Sequence, residues 1–128
     1  MKVLVVEDNR INQLVLVRLL QSWGHTSVIA ENGLRALEIM ERESFDLLIT
    51  DVQMPEMDGY DLVIALRARE KINGNSLPII GLTAHAREED RGRCLAVGMD
   101  AFLTKPIRPD DLCAAMAALA TRLLATQS

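Results

Sequence analysis

Five polar side chains follow short apolar runs in this chain: Glu7 and Asp8 after Lys2 to Val6, Asp51 after Phe45 to Thr50, Thr83 after Pro78 to Leu82, and Lys105 shortly after Ala101 to Leu103. A single aspartate at the end of a strand is most simply a polar residue ending it. Several runs that each end in a chemically useful group are a different matter, because open α/β sheets gather their ligands at the carboxyl ends of the strands. Three carboxylates brought to one edge repel and raise one another's pKa values unless a cation sits among them. Mg²⁺, or Mn²⁺ in its place, suits an all-oxygen donor set and keeps open positions for water or phosphate. Lys105 adds a charge and Thr83 a hydroxyl, so the set complements the oxygens of a phosphoryl group beside Asp51, whose transfer is mostly positioning and charge stabilisation.

Five strand–helix pairs must place these groups. The first helix runs from about Arg10 to Trp23, with Asn9 as cap and Gly24 as left-handed exit. Thr26 to Ala30 forms the second strand, and Asn32 caps a helix with Leu34, Leu37 and Met40 on one side. After the third strand, Phe45 to Thr50, Asp58 caps a helix from Gly59 to about Arg69, followed by a polar loop over Lys71 to Ser76. The fourth helix, near Arg87 to Val97, is weak: its first half is charged apart from Gly92, which costs about 1 kcal/mol relative to alanine. Pro109 starts the last helix, whose apolar stripe is Leu112, Met116, Leu119 and Leu123. Such alternation predicts an α/β fold, a doubly wound parallel sheet with helices on both faces, as a single domain over residues 1–128.

Composition sets the limits. With 49% hydrophobic residues and only four aromatic ones, the core is aliphatic and offers no platform for stacking nucleic-acid bases. A net charge of -4 argues against gripping a phosphate backbone, so no direct nucleic-acid contact is expected. Cys94 and Cys113 form no disulfide or metal-knuckle pattern and fit a reducing cytoplasm. Glu7 and Asp8 cut the first apolar run short of any membrane span, so no membrane contact is expected.

Four stretches in order and spacing, Val3-Leu4-Val5-Val6-Glu7-Asp8-Asn9, Asp51-Val52-Gln53-Met54-Pro55-Glu56-Met57-Asp58-Gly59, Leu82-Thr83-Ala84 and Thr104-Lys105-Pro106, resemble the receiver domain of two-component response regulators over essentially the whole chain. The resemblance implies the flavodoxin-like five-stranded sheet in strand order 2-1-3-4-5. It further implies that Asp51 is the phosphoacceptor and that Asp8, Asp51 and the backbone carbonyl of Gln53 bind the metal directly, with Glu7 acting through water. Thr83 and Lys105 match the phosphate-contacting pair, Lys105-Pro106 the family's cis peptide, and Thr83 with Phe102 the switch pair. Phe102 stands where tyrosine is commoner, and a plain core residue is the competing reading. Gln53 and His85 match the positions flanking the attacking water, and His85 either holds that water, obstructs it or faces solvent.

Asn9 with Asn12-Gln13, Thr83-Ala84-His85-Ala86 and Gly98-Met99-Asp100 are most similar to receivers of hybrid histidine kinases. The implied partner is a histidine kinase or histidine phosphotransfer protein, and the implied setting is cytoplasmic, including the cytoplasmic part of a membrane-bound hybrid kinase. Helix one carries aliphatic residues around its whole circumference, more than one packed face uses, which suits docking, with Leu16 and Val17 among the expected contacts. The last helix is a candidate dimer surface. Two other classes compete: an aspartate-nucleophile phosphatase, which usually has a second acid where this chain has Gln53, and a flavin or nucleotide module, for which no glycine-rich phosphate loop follows the first strand.

Overall fold

The computed structural model describes the chain except residues 55–56, 74–75, 85–86 and 128, and for 71–73 and 121–127 it describes the backbone alone. Strands β1 (Lys2–Val6), β2 (Thr26–Ala30), β3 (Leu47–Asp51), β4 (Ile79–Thr83) and β5 (Ala101–Thr104) alternate with helices α1 (Arg10–Ser22), α2 (Gly33–Arg42), α3 (Gly59–Asn73), α4 (Glu88–Val97) and α5 (Pro109–Gln127). All neighbouring strands are parallel, in the order β2-β1-β3-β4-β5. The expected fold class and strand order are both met.

Successive strand residues point to opposite faces, and the core divides accordingly. Leu4, Val6, Leu48 and Ile79 pack with Ala36 and Ile39 of α2, Leu62, Val63 and Leu66 of α3, and Cys94 of α4. Val3, Val5, Leu47, Ile49, Ile80 and Leu82 pack with Leu16 and Leu20 of α1 and Leu112, Met116 and Leu119 of α5. All residues of β3 and β4 are buried, as expected of central parallel strands covered on both sides.

Caps behave as their side chains dictate. Asn9 accepts from the Asn12 N–H at 3.1 Å, Asn32 from Arg35 at 2.8 Å and Asp58 from Asp61 at 2.9 Å. Gly24 and Gly98 take positive φ, 82° and 108°, where an L side chain would be strained.

Several expectations need correction. β3 starts at Leu47 rather than Phe45; the preceding Asp46 carboxylate instead receives the Lys2 N–H at 2.7 Å. On α2, Gly33, Ala36 and Ile39 are buried and Leu37 and Met40 pack against the same core as expected, whereas Leu34 is exposed; a methyl on Gly33 would meet Met57 Cγ at 2.7 Å. Leu16 lies in the core, so it is no docking contact; the outward side of α1 carries Ile11, Leu14 and Val15, with exposures of 71, 48 and 39%. α3 continues past Arg69 to Asn73. The Leu123 side chain, and Gly74 with Asn75, lie outside the described residues.

A polar clamp closes the amino-terminal end of β4 and β5. Arg67 of α3 donates to both Glu70 oxygens at 2.7 and 2.8 Å, to the Leu77 carbonyl at 2.8 Å, to the Gly98 carbonyl at 2.6 and 2.9 Å, and to Asp100 at 3.0 Å. Asp100 also accepts from Ile79 N–H at 2.8 Å, and Glu70 from Leu77 N–H at 2.7 Å. With one side of the sheet thus tied, the carboxyl ends of the strands are left to carry the site.

Candidate functional site

Asp51 is the last residue of β3 and is nearly fully buried. Its backbone is fixed from behind: Val52 N–H donates to Leu82 O at 2.9 Å, and Gly59 N–H donates to Val52 O at 3.2 Å. Helix α3 starts so close that a Cβ on Gly59 would sit 2.3 Å from the Asp51 carbonyl oxygen, which makes glycine a requirement there. The carboxylate is held on both oxygens, Oδ1 accepting the Gln53 N–H at 3.1 Å and Oδ2 accepting from Lys105 Nζ at 2.7 Å.

Lys105 leaves the end of β5 and is steered by its backbone N–H, which donates to the Thr83 carbonyl at 2.8 Å. Thr83 is buried and pairs in register with Thr104. The Lys105–Pro106 peptide is cis. Besides Asp51, the ammonium lies 3.2 Å from Glu7 Oε2. Burial pulls the lysine pKa down, but the hydrogen bond and charge of Asp51, joined by Glu7, outweigh it, and the net shift is above the ordinary 10.5.

Glu7 follows β1 and is fully buried. Its N–H donates to Ala30 O, and its Oε1 accepts from Asn9 N–H at 3.1 Å and Asn12 Nδ2 at 3.4 Å. Burial, then the Asp51 charge, push its pKa above 4.5, with Asn9 and Lys105 opposing. Glu7 Oε2 receives no hydrogen bond among the described residues: the lysine offers it charge without hydrogen-bond geometry. A buried carboxylate oxygen with an ion pair but no hydrogen bond is incompletely satisfied.

Glu7, Asp8 and Asp51 each present an oxygen within 4.8 Å of the others, with Asp8 exposed at the mouth. Three convergent carboxylates, two of them buried and sharing a single lysine, fit a hard divalent cation such as Mg²⁺ or Mn²⁺. Glu7, Asp8 and Asp51 would hold it, together with the nearby Gln53 backbone.

The other expected residues lie around this centre. Gln53 is exposed two positions beyond Asp51. Phe102, half-buried opposite Gly81, packs against the cluster under α2, α3 and α4, and the Arg91 guanidinium lies 5.8 Å from its ring centre. His85 is outside the described residues. A groove lined by Asp8, Arg10, Gln13, Leu14, Ile29 and Glu31 runs from Asp8 to the exposed side of α1. Sequence reasoning missed the roles of Asn12 and of Gln13, whose Nε2 donates to the Glu7 carbonyl at 2.6 Å. Their position in the first turn after an acidic pair was the available signal.

A family model described as the response regulator receiver domain matches residues 3–117. The sensor histidine kinase RcsC of Salmonella typhi is 38% identical over 128 residues, covering the whole chain and 13% of that protein. The sensor protein GacS of Pseudomonas syringae is 46% identical over 107 residues, 83% of this chain and 12% of that one. The chain therefore spans only about an eighth of the length of these two relatives. Among solved structures, the receiver domain of a Pseudomonas aeruginosa sensor histidine kinase, with a magnesium ion coordinated in its active-site cleft, shares 38% identity at a TM-score of 0.78, covering 88% of this chain and 91% of that one. A Saccharomyces cerevisiae response-regulator receiver domain, crystallised with a histidine phosphotransfer protein, shares 31% identity at a TM-score of 0.84, covering 88% and 83%.

Proposed function

The chain belongs to the response regulator receiver family, and from that membership we propose that residues 1–128 act as one phosphoacceptor domain in which Asp51 takes a phosphoryl group from a phosphohistidine. The observation that carries this is the placement of the Asp51 carboxylate, buried, held by Gln53 N–H and Lys105 Nζ, and within 4.8 Å of two further acids. In the transfer an Asp51 oxygen forms a bond to phosphorus, and the phosphorus–nitrogen bond breaks with its electron pair left on the donor imidazole. A bound Mg²⁺ supplies charge neutralisation for the carboxylates and the phosphoryl oxygens.

The protein's own groups do the rest. Gln53 N–H orients the carboxylate. Lys105 already carries its proton and needs only to turn from the acids toward a phosphoryl oxygen, while the Thr83 hydroxyl contacts another and couples the strand end to Phe102. Gln53 and His85 occupy the sequence positions that in this family flank the water which later hydrolyses the acyl phosphate; His85 holds that water, obstructs it or faces solvent. The domain modifies itself and turns over no metabolite.

The partner is a histidine kinase or histidine phosphotransfer protein that seats on α1. Exposure of Ile11, Leu14 and Val15, and the groove leading from Leu14 to Asp8, support that surface. Dimerisation through α5 and a place on the cytoplasmic side of a hybrid kinase complete the reading; among the described residues no helix is long and apolar enough to cross a membrane. The test is labelling with acetyl phosphate and Mg²⁺ followed by intact mass. One added phosphate is expected on the wild type and none on Asp51→Asn; equal uptake by both would sink the assignment.

A further inference from the structure

Two of the three acids, Glu7 and Asp8, are adjacent, and the peptide that joins them is gripped by a side chain from α1. Glu7 is one residue past β1. Its N–H still follows the sheet by bonding to Ala30 of β2, but its carbonyl accepts the Gln13 amide at 2.6 Å. Gln13 thus acts where the next strand donor would stand. Because a peptide unit is planar, holding the Glu7 oxygen also fixes the Asp8 N–H and the position of the Asp8 Cα from which its side chain departs. Asp8 is the exposed member of the trio, with the most freedom to lose when an ion binds, whereas Glu7 is pinned by burial and by Asn9 and Asn12.

The three contacts come from one stretch of chain. Asn9 caps α1, Asn12 reaches Glu7 Oε1 and Gln13 reaches the Glu7 carbonyl, while Ile11, Leu14 and Val15 point outward from the same two turns. We propose that Gln13 is a positioning residue of the metal site: its side-chain amide sets the Glu7–Asp8 peptide so that both carboxylates face the ion. The inference rests on the phosphoacceptor reading for its biological use, though not for its measurement. Groups that orient metal ligands from outside typically change affinity by one to two powers of ten when removed.

The experiment uses the whole chain and MgCl₂ as the probe. Gln13→Met keeps the side-chain length without the donor, and Gln13→Ala keeps the helix, alanine being the best helix former. Calorimetric titration is expected to show Mg²⁺ binding weakened roughly tenfold in both variants. In acetyl phosphate labelling the Mg²⁺ concentration for half-maximal rate should rise in parallel, with the rate recovering at saturating Mg²⁺. Melting in chelator should fall by roughly 4–10 °C with the domain still folded, since a part-buried carbonyl loses its donor. Unchanged Mg²⁺ affinity in either folded variant would overturn the proposal. So would a rate that stays low at saturating Mg²⁺ with affinity unaltered, or two variants that fail to fold, since either would make the amide's role structural. A wild type that binds Mg²⁺ yet takes up no phosphate would sink the phosphoacceptor reading alone and leave the titration to decide Gln13.

Discussion

Two glycine-to-alanine changes should move stability in opposite directions. At Gly59 the added methyl carbon would lie 2.3 Å from the Asp51 carbonyl oxygen, 2.8 Å from Val52 Cα and 3.0 Å from the Asp51 carbonyl carbon. These are backbone atoms at the carboxyl end of the central strand and just beyond it, and they cannot swing aside as a side chain could, so α3 or the end of β3 must shift by about 1 Å to restore contact distance. Overpacking of this kind costs about 1–3 kcal/mol, against a helix-propensity gain of about 0.5–1 kcal/mol that is smaller still at the first helical residue. At roughly 4 °C per kcal/mol for a chain of this length, Gly59→Ala should melt about 2–10 °C lower than the wild type. Gly92, in the exposed middle of α4, has nothing within 4 Å of its would-be Cβ, so Gly92→Ala should melt about 2–4 °C higher. Thermal melts by circular dichroism in one chelator-containing buffer measure both. A Gly59→Ala midpoint at or above the wild type would refute the packing argument, and a fall for Gly92→Ala would refute the helix argument. If the strain is relieved by moving Asp51, phosphate uptake by Gly59→Ala should fall as well.

Arg67→Met strips the half-buried clamp of its cation and leaves the Gly98 and Leu77 carbonyls and the Asp100 and Glu70 carboxylates short of a donor; a loss of about 2–4 kcal/mol is expected, and a melting shift below roughly 2 °C would rule the clamp out as a stabiliser. Tyr60, the single tyrosine, has its pKa pushed to about 12 by burial first, then by its contact with Cys94 Sγ at 3.9 Å, with the Arg93 guanidinium over its ring opposing. A folded pKa above the unfolded value of 10 means that its contribution to stability is complete below pH 10 and lost as pH rises through about 12. Tyrosinate absorbance in chain that still shows native circular dichroism should therefore lag well behind a model phenol, and a midpoint near 10 in folded protein would contradict the burial. Leu14→Asp should slow transfer from a phosphohistidine protein while sparing acetyl phosphate labelling; equal loss with both donors would count against docking on α1.

Much of this molecule could be read before any coordinates. Element order followed from apolar runs broken by caps and glycines, and Glu7, Asp8, Asp51 and Lys105 were legible as strand-end groups because a parallel sheet leaves its carboxyl ends one place to go. What escaped depended on distance. Periodicity placed Leu37 and Met40 of α2 on the packed side but could not tell that Gly33 and Ala36 are buried while Leu34 is exposed, since small residues carry little weight in an apolar pattern. On α1, leucines and valines at every angle gave no hint that Leu16 is inside and Leu14 outside. The extra turn of α3 coincides with a clamp whose partners, Gly98 and Asp100, lie some thirty residues further along the chain. Gln13 was hard to read for another reason: beyond its place after the acidic pair there was no cue, because its acceptor is a main-chain carbonyl, which every residue type carries.

The clamp around Leu77 also bears on how the chain can be edited. Leu77 is held at both its N–H, by Glu70, and its carbonyl, by Arg67, so the two sides of the segment 71–76 are tied by contacts that do not involve the segment itself. Loop closure entropy grows only with the logarithm of length, and doubling such a segment costs about 0.6 kcal/mol. Inserted peptide would emerge from a closed clasp at the amino-terminal edge of the sheet. That edge is separated from the acids by the full length of five-residue strands, about 17 Å at the usual rise per residue. An epitope, a fluorophore site or a tether grafted there would report on the domain without entering the chemistry at its other edge.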